Sequence, residues 1–187
     1  MTKIAVVTAS VGANDIIEPP VVFEGVDYFA FVDKSKVDIS GSWTRKQHVE
    51  FSSDPYYNNR RNAKIYKILP HLFLPEYDYY IWIDSTHYVA INPHQMIEEF
   101  LSNSDIALFE HPERNCVYDE AKLIKEINFD HEELVNAQIE FYEHVGYPKN
   151  NGLYELPCRI QKNTFKIQEC MLSWWEMICM YSSRDQL

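Results

Sequence analysis

Short apolar runs, separated by longer stretches of mixed polarity, dominate the first 110 residues of the chain. Each run is nearly continuous in apolar residues rather than alternating, which is typical of strands that are covered on both faces. The pattern therefore favours a parallel or mixed sheet within an α/β fold. The predicted strands are Ile4 to Ser10, Tyr28 to Asp33, Tyr79 to Asp84 and Ile106 to Glu110.

Helical periodicity occupies the segments between and after these strands. Asn92 is suited to cap a helix that begins at Pro93, because proline is well tolerated in a first helical turn. Asp130 and Glu133 have the spacing of a capping box at the start of another helix. The predicted helices are Arg60 to Phe73, Pro93 to Leu101, Cys116 to Ile127, Asp130 to Val145 and Phe165 to Tyr181.

These elements predict one α/β domain over residues 1–187, with a mixed, mostly parallel sheet flanked by helices. A chain of 187 residues has room for one ordinary domain. The stretch from Lys34 to Asn59 holds Gly41, Pro55 and several Ser and Asp residues, and is interpreted as a long loop or an irregular hairpin.

The charge and composition narrow the classes of function. The formal net charge of −11 argues against broad binding to nucleic acid, which depends on Lys and Arg displacing counterions. The first apolar run is too short and too polar for a signal peptide, and no run is long enough to span a bilayer. The four cysteines have neither CxxC nor zinc-finger spacing, so we expect reduced thiols and a cytoplasmic location.

The clearest candidate for chemistry is Asp84, at the end of the strand Tyr79 to Asp84. Open α/β sheets bind their ligands at the carboxyl ends of strands, and Mg²⁺ or Mn²⁺ prefers carboxylate oxygens and substrate phosphates. A carboxylate that only caps the following turn is an equal alternative. His87 could add a nitrogen ligand, although a solvated loop histidine explains it more simply.

A cationic stripe forms the second candidate. Arg60, Lys64 and Lys67 have i, i+4 and i+7 spacing, which places them on one face of the predicted helix. Such a stripe can neutralise a diphosphate in an otherwise acidic protein. An ordinary solvent-facing helix side is the competing interpretation.

Two polar segments complete the candidates. Asp185 and Gln186 follow the last predicted helix, where they either face a cleft or belong to a frayed terminus. Glu110 and His111 close the fourth strand at the same sheet edge as Asp84. They could bind acceptor hydroxyls or assist proton transfer, or they could be structural.

Segments in one characteristic order resemble a family of plant and bacterial glycosyltransferase-like proteins. This family was long labelled only as a domain of unknown function and is linked in plants to mucilage polysaccharide synthesis. The matching segments are Arg60 to Lys64, Lys67 to His71, Tyr80 to Asp84, Ile91 to Pro93, Phe109 to Pro112, Tyr118 to Ala121, Gln138 with Phe141 and Tyr142, and Ser183 to Leu187.

The resemblance implies a GT-A-type fold, distantly similar to glycogenin-like enzymes, that transfers a sugar from a nucleotide-sugar donor to a glycan or other hydroxyl acceptor. The donor is expected to be a uridine diphosphate sugar, held with Mn²⁺ or Mg²⁺. The implied metal ligand is Asp84. The implied nucleotide-binding residues are Thr8, Ala9, Ser10, Asp33, Arg60, Arg61 and Lys64, and the implied catalytic residues are Glu110, His111, Asp185 and Gln186.

This sequence departs from the family pattern at two places. Thr86 occupies the position of the second Asp in an Asp-x-Asp metal motif, and the chain ends at Leu187, where relatives resemble longer domains. A C-terminally truncated domain is therefore expected. A nucleotide-sugar or glycan-binding domain without turnover is the competing function, and a phosphohydrolase with Asp84 as nucleophile is a third.

Overall fold

The computed structural model describes residues 2–12, 16–33, 38–39, 41–50 and 58–187, and it places a mixed sheet among six helices in that part of the chain. The strands are β1 (Ile4–Ser10), β2 (Ile16–Ile17), β3 (Val26–Val32), β4 (Asp38–Ile39), β5 (Thr44–Gln47), β6 (Tyr79–Ile83), β7 (Ile106–Glu110) and β8 (Tyr154–Lys162). The helices are α1 (Asn58–Ile68), α2 (Pro70–Phe73), α3 (Pro93–Phe100), α4 (Val117–Glu126), α5 (Glu132–His144) and α6 (Phe165–Met180).

The main sheet has six strands in the order β5-β3-β1-β6-β8-β7, and β2 pairs with β4 in a separate parallel ribbon. Strands β5, β3, β1 and β6 are mutually parallel, whereas β8 runs antiparallel to both β6 and β7. Because β7 therefore runs in the direction of β6, the carboxyl ends of β1, β3, β6 and β7 lie at one edge. The predicted α/β fold class and mostly parallel sheet are confirmed.

Alternate residues of the central strands supply the two faces of the core. Val6 and Ile81 belong to a cluster that packs against α3, whereas Val7 and Trp82 belong to a cluster that packs against α1 and α2. Both faces are apolar, so β1 is buried along its whole length. This double burial explains why the central strands appear in the sequence as continuous apolar runs.

The sequence-based prediction missed β8, the strand that carries Arg159. Pro157 within this segment argues against a central strand, because proline cannot donate to a ladder. The structure accommodates Pro157 at an irregularity, where the pairing register with β7 shifts between Ala107 and Phe109. On the other side, the Pro157 carbonyl accepts from the backbone N–H of Asp84 at 2.8 Å.

One predicted helix and one predicted loop differ from the structure. The segment from Arg60 to Phe73 is not one helix, since α1 ends at Ile68 and α2 begins at Pro70. Leu69 has φ −115° and ψ 48°, outside the helical region, because a residue that precedes proline is disfavoured there. Within 34–59, β4 and β5 replace part of the predicted loop, while residues 34–37, 40 and 51–57 lie outside the described residues.

The predicted capping box at Asp130 is wrong, because α5 begins at Glu132 and Asp130 has a different role. Its Oδ2 accepts from the Ser182 hydroxyl at 2.8 Å and from the Ser183 backbone N–H at 2.6 Å. Gln138 of α5 accepts from the backbone N–H of Ser182 at 3.2 Å. These buried bonds hold the segment after α6 against α5, so this segment is ordered rather than frayed.

No helix in the described ranges combines the length and apolarity that a bilayer crossing requires. The longest, α6, packs Ile167, Met171 and Ile178 against Ile68 of α1. The buried face of α6 therefore belongs to the core of the domain.

Candidate active site: a cationic cleft at the carboxyl edge of the sheet

A cleft of about 430 Å³ opens where β1 and β6 end, beside the first turns of α1. It brings together residues from the beginning, middle and end of the chain. The lining residues are Ala9, Ser10, Val11, Asn59, Arg60, Ala63, Lys64, Lys67, Trp82, Asp84, Ser85, Thr86, Phe129, Arg184 and Asp185.

The cationic stripe of α1 faces this cleft. Arg60 lies at the exposed entrance, Lys64 is half-buried and Lys67 is buried, so the stripe runs from solvent towards the sheet. The structure thus places Arg60 and Lys64 with Asp84 in one open cavity. Had Asp84 pointed into a sealed core, no diphosphate could reach it.

Asp185 is the anion that holds the two lysines of the stripe. Its carboxylate oxygens lie 3.2 Å from Lys64 Nζ and 2.7 Å from Lys67 Nζ. Burial by itself would raise the pKa of Asp185, but the two ammonium groups outweigh that effect and hold its pKa well below the usual range. Burial also lowers the pKa of Lys64, against the attraction of Asp185. Asp185 therefore remains a carboxylate at neutral pH.

Asp84 reaches the cleft with one of its oxygens already engaged. Oδ1 accepts from Trp82 Nε1 at 2.8 Å and lies 3.5 Å from Lys67 Nζ, while 43% of the side chain remains exposed. An ammonium group so close to this oxygen opposes a second cation at the same place. Thr86 Oγ1 is 3.1 Å from His87 Nδ1, and the described residues contain no group of three or more His, Cys, Asp or Glu that could hold a metal. The described side chains around Asp84 therefore do not form a divalent-cation site by themselves.

Arg60 and Arg184 form a second pair of cations at the cleft, and both lie close to the Phe129 ring. The guanidinium carbons of Arg60 and Arg184 lie 3.9 Å and 5.0 Å from the centroid of the Phe129 ring. Glu120, which is fully buried, fixes Arg184 by accepting from its Nε at 3.0 Å, and it accepts from Arg114 Nε at 2.8 Å. Arg60 also donates to the Phe129 carbonyl. These contacts hold both guanidinium groups at the rim of the cleft.

A second cavity, of about 420 Å³, adjoins the cleft at the ends of β1, β3 and β5. Asp33 and His48 line it, and it shares Val11 and Asn59 with the cleft. Asp33 accepts from the backbone N–H of Gly12 at 2.6 Å. Gly12 has φ +73°, and a Cβ there would lie only 1.9 Å from the amide nitrogen of Asn59, so glycine is needed for the loop to pass this side chain.

A third cavity, of about 400 Å³, lies on the other side of Asp84 and Asp185, both of which also line the cleft. It brings together His87, His111 and Gln186. Both ring nitrogens of His111 are engaged: Nδ1 accepts from the backbone N–H groups of Glu113 and Arg114, and Nε2 is 2.8 Å from the Arg114 guanidinium. His111 is therefore held in one orientation at the wall of this cavity.

Three residues that the sequence suggested lie outside the three cavities. The Thr8 side chain is fully buried. Arg61 points to the end of α6, where it donates to the carbonyls of Ile178 and Tyr181 at 3.1 Å and 2.9 Å. Glu110 is exposed on the edge strand β7.

The family resemblance assigned no role to four residues that line or support the cleft. Lys67 and Arg184 were present in the stripe and in the C-terminal motif, so helical spacing and family order signalled them. Phe129 carried no such signal, and Glu120 lay in the matching segment Tyr118 to Ala121 without any indication of its role. Only the tertiary contacts reveal that they hold Arg60 and Arg184.

Comparisons with known proteins place this chain in a family. The family model described as TOD1/MUCI70, glycosyltransferase-like domain, matches residues 2–187. The chain belongs to this family. The protein named "Probable hexosyltransferase MUCI70" from Arabidopsis thaliana is 28% identical over 144 residues, which are 71% of this chain and 25% of that protein. The chain thus spans about a quarter of the length of this curated relative. The glycosyltransferase-like family inferred from the sequence motifs is confirmed.

A solved structure extends the similarity to the three-dimensional fold. The apo form of mouse xyloside xylosyltransferase 1 aligns with a TM-score of 0.53 at 8% sequence identity, covering 99% of this chain and 79% of that chain. At so low an identity the likeness shows the fold alone. The predicted GT-A-like architecture is confirmed.

Proposed function

We propose that this domain transfers a sugar from a nucleoside diphosphate donor, with uridine diphosphate sugars as the favoured class, to a hydroxyl group of a glycan or another acceptor. Membership of a glycosyltransferase-like family supports the reaction class. The observation that carries the proposal is the cleft, in which four cationic side chains meet two carboxylates although the chain has a net charge of −11. The four cations are Arg60, Lys64, Lys67 and Arg184.

The donor diphosphate is proposed to bind between the cationic stripe of α1 and Arg184. Lys64 and Lys67 approach from the sheet side, and Arg60 and Arg184 from the rim. Arginine binds phosphate oxygens through paired N–H groups, whereas lysine acts as a compact charge, so the two types complement each other.

The nucleoside is proposed to occupy the adjoining cavity at the ends of β1, β3 and β5. Asp33 and Asn59 offer a carboxylate and an amide there, which are suitable partners for ribose hydroxyls and for the edge of a base. The cavity of about 420 Å³ is within the usual size range of small-molecule sites. A nucleoside and its diphosphate can therefore lie across two connected cavities.

The acceptor is proposed to enter from the third cavity, past His87, His111 and Gln186. As the bond between sugar and diphosphate breaks, negative charge develops on the leaving group, and the fixed cations of the cleft stabilise that charge. Asp185 remains ionised, so it holds Lys64 and Lys67 in place and does not act as a proton donor at neutral pH.

Turnover of a panel of nucleotide sugars tests the proposal. Release of the nucleoside diphosphate is measured for the native chain, for Arg60→Met and Lys64→Met, and for Lys122→Met as the control. Lys122 is 70% exposed and lies outside all three cavities of the site. We expect one donor class to be hydrolysed or transferred, with about tenfold or greater loss of rate in the two cleft variants and the native rate in the control.

Three other results would contradict the proposal. Binding of a nucleotide sugar without release of its diphosphate would indicate a binding module, a function that is consistent with Thr86 at the second position of the Asp-x-Asp motif. Hydrolysis of simple phosphomonoesters that is lost in Asp84→Asn would indicate a phosphohydrolase. Equal loss of activity in Lys122→Met would show that the cleft is not the site.

A further inference from the structure

Lys67 is the most tightly held cation of the cleft. Its ammonium lies 2.7 Å from Asp185 Oδ2, 3.5 Å from Asp84 Oδ1 and 5.6 Å from the centroid of the Trp82 ring, and its side chain is only 6% exposed. Its backbone carbonyl accepts from Arg159, so the main chain at this position is fixed as well.

The position of this ammonium is central to the site. Lys67, Asp84, Arg184 and Asp185 line both the cleft of about 430 Å³ and the acceptor-side cavity of about 400 Å³. Under the proposed function, the bond that joins donor sugar and diphosphate lies at this boundary, where the charge of Lys67 acts on it. An ammonium group has three N–H donors, so two can face the carboxylates while the third points to a phosphate oxygen.

The carboxylates are arranged around this lysine rather than around an open metal position. Asp84 Oδ1 receives both the Trp82 indole N–H and the Lys67 ammonium, and Asp185 is shared by Lys64 and Lys67. The two lysines face the two carboxylates, and Arg60 and Arg184 bring two further positive charges to the cleft.

We infer that Lys67, anchored between Asp84 and Asp185, supplies the positive charge at the diphosphate that a divalent cation supplies in metal-dependent transferases, so that donor binding needs no metal. This inference rests on the proposed function and identifies the group that neutralises the donor diphosphate. It also predicts that Asp84 weakens the binding of a nucleoside diphosphate, whereas a metal ligand would strengthen it.

Calorimetric titration with uridine diphosphate, in EDTA and separately in Mn²⁺, distinguishes neutralisation of the diphosphate by Lys67 from neutralisation by a divalent cation. The set comprises the native chain, Lys67→Gln, Lys67→Arg, Asp84→Asn and the exposed control Lys122→Gln. Asp84→Asn keeps an oxygen for the Trp82 N–H, and thermal melting verifies that each variant is folded.

We expect the native chain to bind uridine diphosphate in EDTA, with an affinity that Mn²⁺ changes by less than about threefold. In EDTA, the affinity of Lys67→Gln for uridine diphosphate should fall about tenfold or more, and Lys67→Arg should recover much of that affinity. The affinity of Asp84→Asn should rise about twofold or more, because a charge of the same sign as the diphosphate has been removed. Lys122→Gln should match the native chain.

Binding that requires Mn²⁺ and is lost in Asp84→Asn would overturn the inference while leaving the nucleotide-sugar proposal intact. Native affinity in a folded Lys67→Gln variant would also overturn it. Absence of uridine diphosphate binding under both conditions would count against the proposed function itself.

Discussion

Replacing Asp185 by Asn should destabilise the protein far more than replacing an exposed aspartate. Asp185 is 8% exposed and lies within 3.2 Å of both Lys64 Nζ and Lys67 Nζ. The variant leaves the buried Lys67 ammonium and the half-buried Lys64 ammonium without their shared counter-charge. Loss of one partner from a buried ion pair costs about 3–5 kcal/mol, which for a domain of this size corresponds to a fall in Tm of about 6–20 °C.

Asp119→Asn is the matched control, since Asp119 pairs with Lys122 at 3.0 Å but both side chains are more than half exposed. An exposed pair contributes at most about 1 kcal/mol, so its Tm should fall by less than about 4 °C. Thermal melting followed by circular dichroism, with urea titration for the free energy of unfolding, measures both variants. Equal effects of the two substitutions would refute the argument that burial makes the Asp185 pairs important.

The pH dependence of the Asp185 variant provides a second check on the same carboxylate. The pKa of Asp185 in the folded protein is depressed, so its stabilisation is fully present above the unfolded pKa of about 3.9 and is lost as pH falls through the folded value. The difference in unfolding free energy between native protein and Asp185→Asn should stay constant from about pH 8 to pH 5 and narrow only below about pH 4. A difference that already narrows near pH 6 would show that the pKa is raised instead.

Two further predictions concern the nucleoside cavity and the thiols. Gly12→Ala should destabilise the protein and weaken uridine diphosphate binding more than Gly146→Ala does: both glycines have positive φ, but only at Gly12 would a Cβ meet the Asn59 side chain. Melting and titration of the two variants measure this, and equal effects would contradict the steric argument. Iodoacetamide at pH 8 should modify the exposed Cys170 well before Cys158, because burial raises the pKa of the Cys158 thiol to about 11. Peptide mass mapping at successive times gives the order, and early labelling of Cys158 would contradict it.

The parts of the fold that the sequence predicted are those determined by local pattern. The apolar run of β1 and the Asn92 cap of α3 are signals carried by neighbouring residues. Strand β8 escaped prediction because Pro157 is compatible with a strand only where the ladder is irregular, and that irregularity depends on pairing with β7. Asp130 imitates a cap by its spacing, while its actual partners, Ser182 and Ser183, lie more than 50 residues away.

The candidate site likewise contains residues that local patterns predict and contacts that they do not predict. The placement of Asp84 follows from a strand end, and that of Lys64 follows from helical spacing, so both could be inferred without coordinates. The contacts of Asp185 with Lys64 and Lys67 join the end of the chain to α1, and no local pattern encodes them. Electrostatic networks of this kind depend on tertiary geometry, which is why the sequence identified the charges but not their pairing.

Localisation of uridine diphosphate in a crystal of the complex tests the central claim most directly. The account predicts that the diphosphate lies at the ends of β1 and β6, within hydrogen-bonding distance of Lys64 or Lys67 and of at least one of Arg60 and Arg184. A separate cavity of about 400 Å³, on α4 and α5 and outside the three cavities of the site, is also lined by lysines and offers a competing anion site. Density for the diphosphate in that cavity, with the cleft beside Asp84 left empty, would contradict the account.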